Sequence, residues 1–142
     1  MTRLEEVKNI LYQKDASLVV CYPNGMIKEY YQNRIKDIKS ILEEDKFALK
    51  DAIIADKVIG KVAASILTVS GVIEIYAEVI SEIAIPVLEE NKIKYQFNQK
   101  VPFIKNQDDT GMCPMENKYK EEKDIYKIYK LSLIHISEPT RL

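Results

Sequence analysis

The apolar positions predict alternating helices and strands around one long segment, residues 53–67. Within this segment apolar or small residues recur three and four positions apart, the spacing of a helix with one buried face. Gly71 follows where a left-handed residue would end that helix. The next apolar run, residues 73–79, predicts a buried strand. We therefore predict a central helix that leads into a strand of the sheet.

The first fifty residues predict a helix, a hairpin and a second helix. Thr2 is a suitable N-cap for a helix that ends near Lys14. Asn24-Gly25 lies between the strand-like runs 17–22 and 26–31, and this dipeptide is typical of a tight hairpin turn. The second helix is predicted from apolar residues at helical spacing: Ile35, Ile38, Ile41 and Leu42.

Beyond residue 79 the pattern predicts a helix between two parallel strands. Pro86 belongs in a first helical turn, so we expect this helix to start near Glu82 or Ile83 and to end at Asn91. Alternating residues 93–97 predict the following strand, and residues 101–104 a short edge strand. The predicted fold class is α/β, a three-layer α/β/α sandwich with a mixed sheet.

Length, charge and cysteine content narrow the class of protein. A chain of 142 residues suits one domain, for which we expect residues 1–116 as the body and residues 117–130 as a C-terminal helix or tail. A net charge of −1 disfavours nucleic acid as a partner, and no apolar run is long enough for a membrane helix. The charged N-terminus and only two cysteines, Cys21 and Cys113, predict a cytoplasmic protein.

The last twelve residues differ in character from the Lys- and Tyr-rich stretch before them. Residues 131–141 resemble the translation of a transposase adaptor used in DNA library preparation. We therefore interpret residues 131–142 as an adaptor-derived artefact and leave them out of the fold prediction. On this interpretation His135, the only histidine, is foreign to the natural protein.

Three blocks resemble a known family: ADKVIGK at 55–61, YAEVISE at 76–82 and GMCPME at 111–116, together with the Asn-Gly turn. The family is an uncharacterised bacterial domain of unknown function with a cytidine-deaminase-like fold, and the resemblance covers about residues 4–116. It implies a mixed sheet in which the central helix and the helix after Ser81 begin at the same sheet edge. Such folds bind ligands at that edge. The resemblance implies no characterised activity.

The blocks depart from true deaminases at the metal site. Those enzymes bind zinc through a His or Cys at the start of the central helix and two Cys at the start of the next helix. Neither corresponding block here contains Cys or His, and carboxylates alone are poor substitutes for thiolates on zinc. We therefore expect no zinc-dependent deamination, no metal and no cofactor.

Six residues are candidates for ligand binding at the two helix starts: Asp56, Lys57, Lys61, Glu78, Ser81 and Glu82. A structural interpretation competes with this one, because acids in a first helical turn complement the helix dipole and Ser81 is an ordinary cap. Glu78 is harder to explain in that way. It lies near the end of an apolar strand, where a carboxylate needs a partner such as Lys57 or Lys61.

Cys113 precedes Pro114, which suits the first position of a helix, so Cys113 would be the cap of that helix and Glu116 its third residue. The helix dipole would favour a reactive thiolate there, whereas a packed loop cysteine is the structural alternative.

Three hypotheses for function follow. The first is a domain that binds a nucleotide-like small molecule at the helix starts. The second is an enzyme that uses Cys113 with Asp56, Lys57 or Glu78 as acid or base. The third is a structural subunit with a vestigial pocket and a homo-oligomer interface.

Overall fold

The computed structural model describes residues 1–32, 35–105 and 111–136, with side chains through residue 133. Helices and strands alternate along most of this length. In chain order they are α1 (Arg3–Gln13), β1 (Leu18–Cys21), β2 (Ile27–Tyr30), α2 (Ile35–Glu44), β3 (Ile53–Ile59), α3 (Lys61–Ser70), β4 (Glu74–Ser81), α4 (Ile85–Glu90), β5 (Lys94–Val101), α5 (Pro114–Tyr119) and α6 (Ile125–Ile136).

The five strands form one mixed sheet in the order β2-β1-β3-β4-β5. β1 pairs antiparallel with both β2 and β3, and Leu18 lies opposite Tyr30 on one side and Asp56 on the other. β3, β4 and β5 run parallel to one another. The predicted α/β class is confirmed.

Helices cover both faces of the sheet, which makes three layers. α1 packs on one face through Leu4, Val7 and Leu11, against a small apolar cluster that includes Val19 and Tyr76. The larger core lies on the other face, where α3 is central and all of its residues from 61 to 67 are buried. Strand residues alternate between the two cores, as expected for the twofold period of a strand.

The first two helices and the hairpin between them follow the prediction closely. Thr2 caps α1 with a complete capping box: its hydroxyl accepts from the N–H of Glu5, and the Glu5 carboxylate accepts from the N–H of Thr2. The predicted hairpin around Asn24-Gly25 is present, with Cys21 opposite Ile27. α2 begins at Ile35, and its buried apolar residues, Ile38, Ile41 and Leu42, are three of the four that predicted it.

The predicted central helix is wrong over its first half. Residues 53–59 form strand β3, and the helix begins only at Lys61. A strand inside a parallel sheet is apolar on both faces, so its residues match helical spacing as easily as strand spacing. Gly71 ends α3 as predicted, with φ of 93° in the left-handed region.

Two boundaries further on are also wrong. α4 begins at Ile85 rather than near Glu82 or Ile83, because β4 continues through Ser81. β5 continues to Val101, so residues 101–104 form no separate strand. The strand is also more exposed than alternating residues 93–97 predicted, since only Tyr95 and Val101 within it are partly buried.

The C-terminal helices pack on the larger core. Ile128 of α6 is fully buried, and Tyr119 of α5 is 4% exposed. Both helices contact α3. Within the described ranges, no helix combines the length and apolar character needed to cross a bilayer.

Candidate functional site

Two parallel strands of the sheet end side by side, and each leads into a helix. Ile59 at the end of β3 lies opposite Ile80 of β4. α3 begins two residues after Ile59, and α4 begins four residues after Ser81. In open α/β sheets this edge, outside the carboxyl ends of the strands, is where ligands bind.

A buried carboxylate from α5 occupies this edge. Glu116, 2% exposed, is the third residue of α5. Its Oε2 accepts hydrogen bonds from the N–H of Lys61, at 2.8 Å, and from the hydroxyl of Ser81, at 2.6 Å. Its Oε1 accepts from the N–H of Ile104, at 2.5 Å. We call these three donors the anion cradle, and Glu116 occupies it fully.

Gly60 makes room for this carboxylate. It is the N-cap residue of α3 and has no side chain with which to cap the helix. A Cβ at this position would lie 2.7 Å from Glu116 Oε2 and 2.9 Å from Ile104 Cγ1, closer than real Cβ contacts allow. Glu116 therefore caps α3 from a distant part of the chain, and a negative charge at a helix N-terminus is favourable.

Lys61 binds the other end of α5. Its side chain crosses to Lys120, whose carbonyl accepts a hydrogen bond from Lys61 Nζ at 2.9 Å. Lys61 is 8% exposed, and this burial lowers the pKa of its ammonium group, against the opposing effect of Glu122, Glu121 and Glu116. The backbone and the side chain of one residue thus hold both ends of α5 against the start of α3.

Of the six predicted ligand-binding residues, the structure brings only Lys61 and Ser81 to the cradle. Lys57 lies on β3, and its ammonium forms an ion pair with Asp15, just after α1, at 2.6 Å. Glu78 is half-buried on β4, three residues before Ser81, and Glu82 is exposed. The prediction placed Asp56 and Lys57 at a helix start because it began the central helix too early.

Asp56 is buried in β3, 4% exposed, and not at the start of α3. Its carboxylate has a long hydrogen bond from the N–H of Val58, at 3.5 Å. Burial, reinforced by the negative charge of Asp37, raises the pKa of Asp56 to about 8. Asp37 is itself buried and accepts hydrogen bonds from the Ser17 hydroxyl and from the N–H of Gln32. Asp56 therefore holds a proton at neutral pH.

Cys113 is the N-cap residue of α5, as the sequence predicted. Its N–H donates to the carbonyl of Ile104, and its own carbonyl accepts from the N–H of Asn117. Among the described residues, no hydrogen bond joins its half-buried thiol to an acid or a base. A catalytic role for Cys113 stays a prediction.

Glu116 is the third residue of its helix, as the sequence predicts, whereas the contact between its carboxylate and the start of α3 was not predicted. The available signal was Gly60, since a helix that begins after glycine lacks a side-chain cap and needs one from elsewhere. The role of Ile104 could not be recognised from the sequence, because this residue contributes only a backbone N–H. In the ranges 1–32, 35–105 and 111–133, no three His, Cys, Asp or Glu side chains are grouped as metal ligands.

These features define an α/β domain with a five-stranded mixed sheet and a buried carboxylate at the edge where two helices begin. The chain belongs to the family TM1506, domain of unknown function (DUF1893), whose sequence profile matches residues 6–133. It is similar to the crystal structure of a DUF1893 family protein (TM1506) from Thermotoga maritima, at 28% identity and a TM-score of 0.84. That match covers 95% of this chain and 92% of the other. The comparison with curated proteins gave no match.

Proposed function

We propose that this chain is a small-molecule-binding domain on a cytidine-deaminase-like fold that works without zinc. Its ligand is nucleotide-like and carries a phosphate or carboxylate that takes the place of the Glu116 side chain. The observation that carries the proposal is the anion cradle: two backbone N–H groups and one hydroxyl converge on a single buried anion.

The fold assignment is supported by the three blocks that resemble the deaminase-like family. It is also supported by the parallel strands β3 and β4, each followed by a helix at one edge of the sheet. The proposal that the domain works without zinc rests on its residue types. The segments 60–62 and 82–86, at the starts of the two helices, contain neither Cys nor His.

The ligand class follows from the chemistry of the cradle. Helix N-termini bind phosphates and carboxylates through free N–H groups and the positive end of the dipole. Exchange of the Glu116 carboxylate for a ligand anion keeps the local charge balanced. The ammonium of Lys61 donates to the Lys120 carbonyl at the end of α5, and it would be free to pair with an anionic ligand when α5 withdraws.

Amide signals in NMR spectra of the 15N-labelled protein test the proposal, with the N–H groups of Lys61 and Ile104 as reporters. Adenosine and cytidine monophosphates, their nucleosides, formate and acetate are titrated into the wild type and into Glu116→Ala. We expect the monophosphates to bind the variant about tenfold more tightly or better, because the internal competitor is gone. Glu6→Ala is the matched control, because Glu6 is an exposed acid on α1, on the other face of the sheet, and this variant should bind as the wild type does.

Two outcomes would overturn the proposal in whole or in part. If neither protein shows shifts at the two reporter amides with any anion, the cradle is no ligand site. If formate and acetate bind the variant but no nucleotide does, the cradle accepts anions and the nucleotide class is wrong. Should Glu116→Ala fail to fold, Glu116→Gln, which keeps the side-chain volume, replaces it under the same criteria.

A second candidate is a structural subunit with a closed pocket, favoured by the complete satisfaction of the cradle by Glu116. In that case Glu116 acts as a permanent cap, and the working surface lies elsewhere, for example at an interface between copies. The two candidates differ in the titration above, because a permanent cap predicts no displacement by any anion in the wild type. Sedimentation of the wild type over a range of concentrations then tests for the oligomer.

A further inference from the structure

A second concave site lies between the β1–β2 hairpin and α2. It is a groove of about 370 Å³, and six of its lining residues carry polar groups: Tyr22, Lys28, Tyr30, Ser40, Glu44 and Asp45. We propose that this groove binds a small organic cation, a primary ammonium group attached to an aromatic ring or a short apolar chain. The proposal does not rest on the anion cradle, because the two sites share no residue.

The two tyrosines provide the acceptors. The hydroxyl oxygens of Tyr22 and Tyr30 are 2.6 Å apart, so one hydroxyl donates to the other. One O–H and the remaining lone pairs of the pair are left for a ligand. Burial and the neighbouring phenol raise the pKa of Tyr22, so its hydroxyl is neutral at physiological pH. The two rings add π faces, which attract cations.

The negative charges at the end of α2 favour a positively charged ligand. Glu44 is the last residue of α2, and Asp45 follows it, at the negative end of the helix dipole. Glu43 is neutralised by Lys39, four residues earlier, at 2.7 Å. Within the described part of the chain Glu44 forms no such ion pair. Negative charge therefore collects at one end of the groove, and no ion pair in the described part of the chain neutralises it.

The groove also suits a small molecule in size and composition. Its volume lies in the range of small-ligand pockets, about 300–1,000 Å³. Ile41, Ala48 and Met26 supply apolar surface for the body of the ligand. Lys28 is the one cation among the lining residues, so two carboxylates oppose one ammonium. We expect Lys28 to weaken binding of a cation, and this expectation makes the charge argument testable.

Isothermal titration with phenethylammonium, and with 2-phenylethanol as its uncharged analogue, tests the proposal on the full chain. We expect the ammonium to bind the wild type and the alcohol to bind at least about fivefold more weakly. Glu44→Gln should weaken ammonium binding by about three- to tenfold, and Lys28→Met should strengthen it by a similar factor. Glu43→Gln, one residue away and outside the groove lining, is the matched control and should leave affinity unchanged.

The proposal is overturned if phenethylammonium fails to bind at millimolar concentration. It is equally overturned if the alcohol binds as tightly as the ammonium, because the groove would then select an apolar body and not a cation. Equal effects of Glu44→Gln and Glu43→Gln would show general surface electrostatics instead of a site. Circular dichroism of each variant checks that the hairpin and α2 remain folded.

Discussion

Replacement of Glu116 by alanine should be among the most destabilising changes in this chain. The substitution leaves three donors without their acceptor: the buried N–H groups of Lys61 and Ile104 and the hydroxyl of Ser81. An unsatisfied buried polar group costs about 1–3 kcal/mol, and water entering the vacated space recovers part of that. We therefore expect the free energy of unfolding to fall by about 3–5 kcal/mol, a large share of the roughly 5–15 kcal/mol of a typical domain.

Urea denaturation followed by circular dichroism measures this change. Glu116→Gln should cost less, about 2 kcal/mol, because its amide oxygen still accepts from two donors while its NH₂ faces the third. Glu121→Ala, at an exposed position two residues beyond the end of α5, should change stability by less than about 0.5 kcal/mol. If Glu116→Ala is as stable as that control, the cradle does not hold α5 on α3, and both the capping argument and the proposed ligand site lose their basis.

Three further predictions follow from single features of the structure. Gly60→Ala should destabilise the protein by about 1–3 kcal/mol, because the new Cβ displaces the Glu116 carboxylate, and a double-mutant cycle should show a smaller cost in the Glu116→Ala background. Equal cost in both backgrounds would refute the steric argument. The pKa of Asp56 is raised to about 8 on folding, so its contribution to stability is fully present below its ordinary pKa near 4 and is lost as pH rises towards 8. The stability of Asp56→Asn relative to the wild type should therefore increase from pH 4 to pH 8 in thermal melts, and a constant difference would contradict the assignment. Ser132 is fully buried and its hydroxyl has no partner among the described residues, so Ser132→Ala should raise the free energy of unfolding by about 1 kcal/mol, as measured in urea. A loss of stability would mean that the hydroxyl is satisfied by water.

Local signals in the sequence predicted those parts of the fold that local interactions determine. The Thr2 cap needs only Glu5 three residues later, and the hairpin needs only Asn24-Gly25 and its flanking strands. Whether residues 53–59 form a strand or a helix depends instead on the position of this segment inside the sheet. The segment lies between β1 and β4 and is covered on both faces, so apolar residues are needed on both. Its sequence therefore lacks the alternation that distinguishes a strand from a helix.

The candidate site was predictable only in part, for a similar reason. Lys61 and Ser81 follow from the rule that parallel strands end at a common edge. Glu116 lies 55 residues beyond Lys61 in the chain, and no local pattern shows which donors its carboxylate will meet. Asp56 was predicted as a ligand-binding residue at a helix start, but its burial follows from its place in β3, a segment that the sequence predicted as helix.

The C-terminal stretch that resembles an adaptor begins inside α6. The family profile matches through residue 133, and the helix continues to Ile136, whereas residues 137–142 and the side chain of His135 lie outside the described part. The adaptor origin of residues 131–142 stays a prediction. Resequencing of the gene across codon 131 tests it directly, and an unchanged sequence would refute it.

The exposed strand β5 has a consequence for behaviour at high concentration. In the described part of the chain its sheet neighbour is β4, so its outer backbone groups could template a strand from another molecule. Lys94 and Lys100 lie near its two ends, and an antiparallel approach of two such strands in register about Phe97 would place these like charges opposite each other. Electrostatic repulsion should therefore protect this edge from amyloid-like stacking. Substitution of both lysines by neutral residues should promote aggregation through β5.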